Sequence, residues 1–400
     1  MSRKFVTNAT ETQIIRHLRK AGQLSRSELA NMLGYSRASM TGFVSHLMEV
    51  GVLREVGEGA SLGGRRPLIL SVNGDYGYIV GYDIGATSID LALANFRGEI
   101  LEHCTEPADV RDNAELVLRR CAQVGLEMLQ RRGGHPDQVV AVGVGVPGPV
   151  EFAKGVLIAP LLMPTWENFP IKKYVAQSFE NATIVVDNDV NIMALGELHS
   201  GRGKELTDFI WVKIGTGIGS GIIVNGEIYR GANGVAGNIG HIEANPAGPI
   251  CRCGNRGCLE AMAAGPPIAE RGKEVAEAGR SDFLARRLEE GNGKLSATDV
   301  GDAAANGDAA AIEIIRDSGR LIGSVLAGLV EFFNPEVIYI GGGVSKIGFT
   351  FLSSIRQAVL QRANPLSTRD LHVEYSQLGD LAGVVGAISL TYPHIFEAIG

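Results

Sequence analysis

The sequence lacks the features that would direct it into or across a membrane. No stretch contains 18 consecutive apolar residues, as a spanning helix requires. Arg3 and Lys4 are not followed by an apolar segment, so we expect no secretory signal peptide. Five Cys in 400 residues do not suggest a disulfide framework, which favours free thiols or metal ligands. We therefore expect a cytoplasmic protein that does not bind membranes.

Proline is also scarce, with 15 residues, whereas there are 53 Gly. Many glycines without many prolines indicate backbone turns that approach a ligand closely, not a low-complexity chain. Apolar residues make up 45% and charged residues 20%, which excludes a mostly disordered or fibrous protein. A chain of this length is expected to form two or three domains.

The net charge of −7 argues against a protein that coats nucleic acid along its whole length, but the charge is uneven. Residues 1–75 contain ten Lys or Arg against six Asp or Glu, a balance of +4, and the remaining residues carry −11. A basic segment before an acidic body is expected for a small nucleic-acid-binding module attached to another domain.

This basic segment carries the signals of three helices. Thr10 with Gln13, and Ser25 with Glu28, have the spacing of a capping box, and Ser36 can cap the third helix. The order of helix, short helix, tight turn and longer helix is that of a helix-turn-helix. Strands at 52–56 and 68–72, on either side of a glycine-rich tip, predict a wing.

The third helix would present an arginine and short polar donors on faces that its core does not need. Such side chains suit base edges and phosphates in a major groove, and two arginines at the wing tip suit the phosphate backbone or a narrow minor groove. A three-helix interaction module with solvated charges is the alternative, but the wing and the local positive charge favour DNA. The predicted DNA contacts are Arg37, Ser39, Thr41, Ser45, Arg65 and Arg66, and His46 lies on the same exposed faces of the third helix.

Two strand–turn–strand segments of the body have glycine and threonine at their turns. A pair of such hairpins, one from each of two similar α/β halves, would direct backbone N–H groups at phosphate oxygens. Each hairpin alone fits an ordinary turn equally well. A third cluster, Gly341–Gly343, fits either a platform for a nucleotide base or a plain strand-to-helix turn. The candidate phosphate-binding residues are Asp83, Gly85, Thr87, Gly215, Thr216 and Gly217.

One histidine and three cysteines provide the most specific pattern in the chain. His241, Cys251, Cys253 and Cys258 together supply the four soft ligands of a tetrahedral zinc site. A disulfide is the competing interpretation, but a Cys-x-Cys pair would close a strained ring in a reducing compartment. Four protein ligands leave no open position, so we expect the zinc to be structural.

Two carboxylates lie near these motifs. Asp189 begins a predicted helix, where the positive end of the helix dipole favours its charged form. It is a candidate catalytic base, although a simple helix cap explains it as well. Glu260 follows Cys258 by two residues, so a loop folded around zinc would fix its carboxylate in position to contact a ligand. The simpler explanation is that Glu260 is an ordinary glutamate at the start of a helix.

All of these segments occur together in the ROK family (repressors, open reading frames and sugar kinases), which the chain resembles, specifically in its repressor branch. The resemblance covers nearly the whole chain and rests on Ser25–Leu33, Gly64–Pro67, Asp83–Thr87, Gly143–Pro149, Asn188–Glu197, Gly215–Gly221, Gly240–Glu260 and Asn334–Val344. It implies an α/β protein with a winged helix-turn-helix at 1–75. A first actin-like, ribonuclease-H-like lobe is then expected at 76–190 plus about 380–400, and a second, zinc-containing lobe at 191–379.

The resemblance also implies a sugar in the cleft between the lobes. In family kinases the position matched by Asp189 takes the proton from the sugar hydroxyl that attacks ATP. The implied sugar-binding residues are Asn188, Asp189, Asn238, His241 and Glu260. Asn238 stands where family kinases usually have Glu, and Ala86 and Ser88 replace a Gly and a Lys of the first hairpin, so ATP binding and kinase activity are in doubt.

The expected function is that of a sugar-responsive, DNA-binding transcriptional regulator, most simply a repressor of carbohydrate-utilisation genes. It would bind a double-stranded operator as a homodimer, or as a tetramer, and carry structural zinc. The alternative is an ATP-dependent sugar kinase of the hexokinase type with a DNA-binding appendage. A third hypothesis is a repressor whose signal is a protein partner and whose cleft is empty.

Overall fold

The computed structural model describes residues 8–58 and 66–395. Its α-helices in those ranges are α1 (Ala9–Ala21), α2 (Arg26–Leu33), α3 (Arg37–Glu49), α4 (Ala114–Arg131), α5 (Ile171–Ala176), α6 (Asp189–Ser200), α7 (Leu259–Ala263), α8 (Gly265–Glu277), α9 (Asp282–Glu290), α10 (Ala297–Ala305), α11 (Ala309–Phe333), α12 (Phe349–Arg362), α13 (Pro365–Thr368) and α14 (Ala382–Leu390). The strands are β1 (Leu24–Ser25), β2 (Leu53–Glu58), β3 (Leu68–Val72), β4 (Tyr78–Ile84), β5 (Ser88–Asn95), β6 (Ile100–Pro107), β7 (Val139–Val146), β8 (Val150–Glu151), β9 (Val156–Leu157), β10 (Thr183–Asn188), β11 (Phe209–Ile214), β12 (Ile218–Val224), β13 (Glu227–Ile228), β14 (Val337–Gly341) and β15 (His372–Tyr375). In this described part, no helix is long and apolar enough to cross a bilayer.

The N-terminal module consists of α1–α3 followed by the antiparallel pair β2 and β3, in the order that the sequence predicts. Ser25 and Glu28 form the predicted capping box of α2, and Ser36 caps α3. The prediction for α1 was wrong, because its capping box is Asn8 with Glu11, not Thr10 with Gln13. Asn8 offers the same spacing two residues earlier.

The module packs onto the α/β body through a shared apolar core. Buried residues of the module, among them Ile14, Leu18 and Leu70, belong to one cluster with Phe96 of the sheet and Ile388 of α14. Apolar burial of this kind is the main force that holds two such surfaces together. Module and adjoining sheet therefore belong to the same compact unit.

The described chain forms two compact units, one containing residues up to His199 and from Gly383, the other Ser200–Ala382. In the first unit the main sheet has the order β10-β7-β4-β5-β6, with β4, β5 and β6 antiparallel and β7 and β10 parallel to β4. In the second unit the order β13-β12-β11-β14-β15 repeats the same pattern. This repeat is the predicted α/β architecture with two actin-like lobes.

The units do not divide at the residues expected from the sequence. We expected the second lobe to begin at 191, whereas α6 stays with the first unit through its last turn. The helix packs closely on α14, since a Cβ at Gly386 would lie 1.7 Å from the carbonyl oxygen of Ile192. In the second hairpin β11 ends at Ile214 and β12 begins at Ile218, so the turn between them consists of residues 215–217.

Candidate functional site: a zinc centre and polar strand ends

The four predicted metal ligands come together in the second unit. The ligand atoms of His241, Cys251, Cys253 and Cys258 all lie within 4.8 Å of one another. The Cys253 and Cys258 sulfurs are 3.6 Å apart, and the Cys251 sulfur is 3.6 Å from His241 Nδ1. A zinc ion with bonds of about 2.0–2.3 Å would separate its tetrahedral ligands by roughly these distances. The donor set and its spacing therefore fit zinc.

The loop between these ligands depends on two glycines in the left-handed region. Gly254 has φ +89° and Gly257 has φ +71°. A Cβ at Gly257 would lie 1.7 Å from the carbonyl oxygen of Asn245, whereas no atom lies within 4 Å of the corresponding position at Gly254. The loop closes only because the backbone can approach itself at Gly257.

Burial of Cys258 favours its uncharged thiol form. Burial raises the pKa of the Cys258 thiol to about 12, so without a metal this group would be protonated. A divalent cation favours the thiolate, which is the form that binds zinc. The Nδ1 atom of His241 faces the sulfur cluster, which leaves Nε2 as the ring nitrogen able to bond to another group.

Glu260 lies next to the second hairpin. Its Oε2 accepts a hydrogen bond of 3.0 Å from the backbone N–H of Ile218. A Cβ at Gly217 would be 2.6 Å from this carboxylate oxygen, and one at Gly240 would be 2.3 Å from the carbonyl oxygen of Ile218. The loop of the candidate metal ligands, the hairpin tip and Glu260 thus form one packed group, and sequence reasoning did not predict the bond to Ile218.

Within the second unit, Asn238 is exposed and immediately precedes the short 3-10 helix Ile239–His241, without capping it through its side chain. Thr216 is exposed at the hairpin tip, where the Gly215 N–H donates to the Gly217 carbonyl oxygen at 2.9 Å. Asn238 thus lies beside the loop of the candidate metal ligands, and Thr216 lies at the tip of the second hairpin.

The other candidate sugar-binding residues lie in the first unit, where β10 meets α6. Asn188 Oδ1 accepts from the Val190 N–H at 2.9 Å, and its Nδ2 donates to the Gly148 carbonyl oxygen at 3.0 Å. The side chain of Asn188 therefore caps α6, and Asp189 Oδ1 also accepts from the Val190 N–H at 3.0 Å, so both side chains bond to the first turn of the helix. Asp189 is buried, with 5% of its surface exposed.

Two further polar residues at this junction were missed. Asp187 is 1% exposed, and its Oδ1 accepts from the Asn188 N–H at 2.7 Å and from Asn191 Nδ2 at 2.9 Å. The dense run of Asp and Asn after a buried strand is the signal that could have found them. These bonds hold the start of α6 in one conformation, so the polar atoms there have defined positions.

The first hairpin also lies in this unit. Asp83 is buried at the end of β4, and a Cβ at Gly383 would lie 1.7 Å from its Oδ2, so α14 packs directly on this carboxylate. Gly85 donates its N–H to the Ser88 carbonyl oxygen at 2.8 Å, and Thr87 is exposed at the turn.

The predicted DNA contacts on α3 are exposed: Arg37, Ser39, Thr41 and Ser45. The Thr41 hydroxyl donates to the Arg37 carbonyl oxygen at 2.8 Å, and His46 Nδ1 lies 2.7 Å from the buried Glu11 carboxylate. Arg66 is 3.9 Å from Glu58 across the wing strands. Arg65 lies outside the described residues.

Comparison with known proteins gives the class of this fold and site. The xylose repressor of Caldicellulosiruptor bescii is 33% identical over 368 residues, 92% of this chain and 91% of the repressor. A glucokinase of Halalkalibacterium halodurans is 34% identical over 310 residues, 77% of this chain and 93% of the kinase. A solved ROK family transcriptional regulator, a homologue of the E. coli MLC protein, matches with a TM-score of 0.82 and 26% identity over 96% of both chains.

The matches define a protein with two sugar-kinase-type lobes. A sequence model of the ROK family matches residues 79–393, which is most of the body. The chain belongs to the ROK family.

Proposed function

We propose that this protein is a sugar-responsive, DNA-binding transcriptional regulator, a repressor of carbohydrate-utilisation genes. The single observation that supports this best is the similarity to a xylose repressor over 92% of the chain, well beyond the 77% shared with a glucokinase. The three helices and wing strands ahead of the ROK body supply a module suited to an operator.

The proposed effector is a sugar or a sugar derivative held by Asn188, Asp189, Asn238, His241 and Glu260. Carboxylate, amide and imidazole groups with fixed positions suit sugar hydroxyls, since an unpaired buried hydroxyl costs about 1–3 kcal/mol. His241 can serve both purposes, because Nδ1 faces the metal cluster while Nε2 is available for a hydroxyl. Effector binding at these residues is proposed to weaken operator binding.

We also propose that the His241, Cys251, Cys253 and Cys258 cluster holds a structural zinc ion. The test is the zinc content of the purified protein, measured by elemental mass spectrometry. Cys253→Ser should lose the metal, and Cys104→Ser is the matched control because Cys104 lies in β6, outside the cluster. Equal zinc in both variants would contradict the ligand assignment.

The regulatory function is tested by operator binding. Duplexes that bind the protein are first selected from a random pool, and their dissociation constants are then measured by fluorescence anisotropy with and without D-xylose, D-glucose and their phosphates. We expect nanomolar binding that one of these sugars weakens several-fold. Binding that ignores every sugar would remove the proposed effector, and a protein that selects no duplex would remove the regulator.

A sugar kinase is the second candidate, favoured by the glucokinase match and by the buried carboxylate of Asp189. ADP release measured against the same sugars separates the two functions, with Asp189→Asn as the control for a catalytic base. Turnover of about 1–100 s⁻¹ that disappears in this variant would establish the kinase. We expect none at that level, because Ala86 and Ser88 replace the Gly and Lys typical of the family's kinases.

Operator binding is proposed to require a homodimer, since one recognition helix per half-site contacts only one turn of the duplex. Analytical ultracentrifugation with and without operator measures the stoichiometry. Two chains per duplex support the proposal, four support a tetramer, and one chain per duplex would contradict both.

A further inference from the structure

Arg19, in the last turn of α1, lies against two aromatic rings of the α/β part of the first unit. Its guanidinium carbon is 4.7 Å from the centre of the Phe96 ring and 4.1 Å from the centre of the Tyr392 ring. All three guanidinium nitrogens are buried, and within residues 8–58 and 66–395 none makes a hydrogen bond of regular geometry, although the Tyr392 side chain is close enough to favour the charged form of Arg19. Buried guanidinium groups are normally paired with carboxylates, whereas this contact between module and body is made with two aromatic side chains.

The ring of Tyr392 is fixed from the body side. Its hydroxyl lies against the turn after β5, where a Cβ at Gly98 would be 2.0 Å from the oxygen atom. Its ring meets that of His199 edge to face, with centres 5.6 Å apart and planes at 71°. His199 lies in the last turn of α6, the helix that begins at Asp189. Tyr392 thus joins the N-terminal module to the helix that carries a proposed sugar ligand.

The helix before Tyr392 is packed against the same parts of the body without any free space. At Gly386 a Cβ would lie 1.7 Å from the Ile192 carbonyl oxygen of α6, and at Gly383 it would lie 1.7 Å from the carboxylate of Asp83. Because close-packed elements move together, a displacement of α6 or of the first hairpin must move α14 and the Tyr392 ring.

Opposing energetic contributions make the Arg19 contact easy to break. Burial lowers the pKa of the Arg19 guanidinium, because the surroundings disfavour its charge. Attraction to the Tyr392 side chain and to the two ring faces opposes this cost of desolvation, so the two effects partly cancel. A small movement of Tyr392 can therefore release the guanidinium to solvent, where its charge is well hydrated.

We propose that the contact of Arg19 with Tyr392 positions the N-terminal module on the body and passes the state of α6 to it. Sugar bound at the start of α6 would then change operator affinity through α14, Tyr392 and Arg19. The proposal rests on the proposed function, which supplies the sugar and the operator.

The test compares Arg19→Met and Tyr392→Leu, which remove the cation and the ring, with Lys20→Met, which removes the neighbouring exposed cation of the same helix. Operator dissociation constants are measured with and without saturating D-xylose or D-glucose. In Arg19→Met and Tyr392→Leu we expect at least a threefold change without sugar, and a sugar response reduced to half or less. Lys20→Met should keep the wild-type sugar response, and so should Tyr392→Phe, which retains the ring face.

Thermal melting separates this role from a merely structural one. Arg19→Met removes a buried cation whose desolvation is unfavourable, so its melting temperature should equal or exceed that of the wild type. A lost sugar response in a protein that is no less stable supports a positioning role. A melting temperature many degrees lower, with the response of the remaining folded protein unchanged, would overturn it.

The measurements distinguish a failure of this inference from a failure of the proposed function. If Arg19→Met and Tyr392→Leu bind the sugar-free operator as Lys20→Met does, the contact does not position the module and the inference is wrong. If they shift operator affinity but keep the full sugar response, the signal travels elsewhere. If the wild type ignores both sugars, the proposed effector and the relay are both refuted, while the sugar-free measurements still decide whether Arg19 positions the module.

Discussion

The Glu260 carboxylate accepts the N–H of Ile218 at 3.0 Å, which ties the helix after the zinc loop to the tip of the second hairpin. The same carboxylate is a proposed sugar ligand, so one oxygen can hold the hairpin while the other remains for a hydroxyl. Glu260 would thus couple the proposed zinc loop, the hairpin and the proposed sugar site through a single side chain.

We predict that Glu260→Ala frees the hairpin and weakens sugar binding by roughly 10–100-fold, since a hydrogen bond to a charged group contributes about 1.5–3 kcal/mol. Glu260→Gln keeps an acceptor oxygen and should lie between the wild type and Glu260→Ala. Calorimetric titration with the effector measures the affinity, and hydrogen exchange at Ile218 measures the hairpin without any sugar. Glu243→Ala is the control, because Glu243 is exposed beside the same loop. Unchanged exchange at Ile218 in Glu260→Ala would show that the bond has no influence in solution.

The two loop glycines make a matched pair for testing the zinc centre. Gly257→Ala forces a Cβ into the Asn245 carbonyl oxygen, so the loop must open and we expect both zinc content and melting temperature to fall. Gly254→Ala meets no atom within 4 Å and brings only the strain of its positive φ, about 1–3 kcal/mol. Zinc per chain and thermal melting are measured for both. Retention of a full zinc equivalent by Gly257→Ala would contradict the close approach seen here.

If the module binds DNA as proposed, α3 and the predicted wing tip should affect DNA binding differently. Arg37→Ala removes an exposed side chain near the start of α3 and is expected to cost about 1–3 kcal/mol for the selected operator, with relaxed base preference. Arg65→Ala should weaken binding to all duplexes alike and flatten its dependence on salt. Anisotropy titrations at several salt concentrations, with selected and scrambled duplexes, measure both effects. Equal losses on both duplexes for Arg37→Ala would assign that arginine to phosphate instead.

The sequence predicts the element order well wherever local signals act alone. Ser25 and Glu28 lie three residues apart and form their capping box as predicted, and β3 has the predicted bounds. The clustering of His241, Cys251, Cys253 and Cys258 was also predictable, because the three cysteines lie within eight residues and the ligand chemistry is specific.

Contacts between distant parts of the chain could not be predicted in this way. The choice of Asn8 and Glu11 over Thr10 and Gln13 accompanies the contact of Glu11 with His46 on another helix. Assignment of α6 to the first unit follows from its packing on α14, far along the chain. Such contacts depend on the shape of the packed core, which spacing along a sequence does not encode.

The capping box of α2 should make the N-terminal module sensitive to acid. The Ser25 backbone N–H donates to Glu28 Oε2 at 2.7 Å, which lowers the pKa of this carboxyl below its usual value. A carboxyl with a lowered pKa in the folded state stabilises it at neutral pH. That contribution is lost as the pH falls below the value of the unfolded chain and through the folded value. For an exposed charge at a helix start it is expected to be about 0.3–1 kcal/mol.

We therefore predict that Glu28→Gln speeds hydrogen exchange within α2 at pH 7 and that the difference from the wild type shrinks toward pH 3. The measurement is the opening free energy of α2 amides from hydrogen exchange, corrected at each pH for the intrinsic rate. Glu49→Gln, an exposed change at the end of α3, is the control. Effects of acid on the rest of the protein cancel in the comparison, so a difference that stays constant with pH would show that the Glu28 charge does not stabilise the helix.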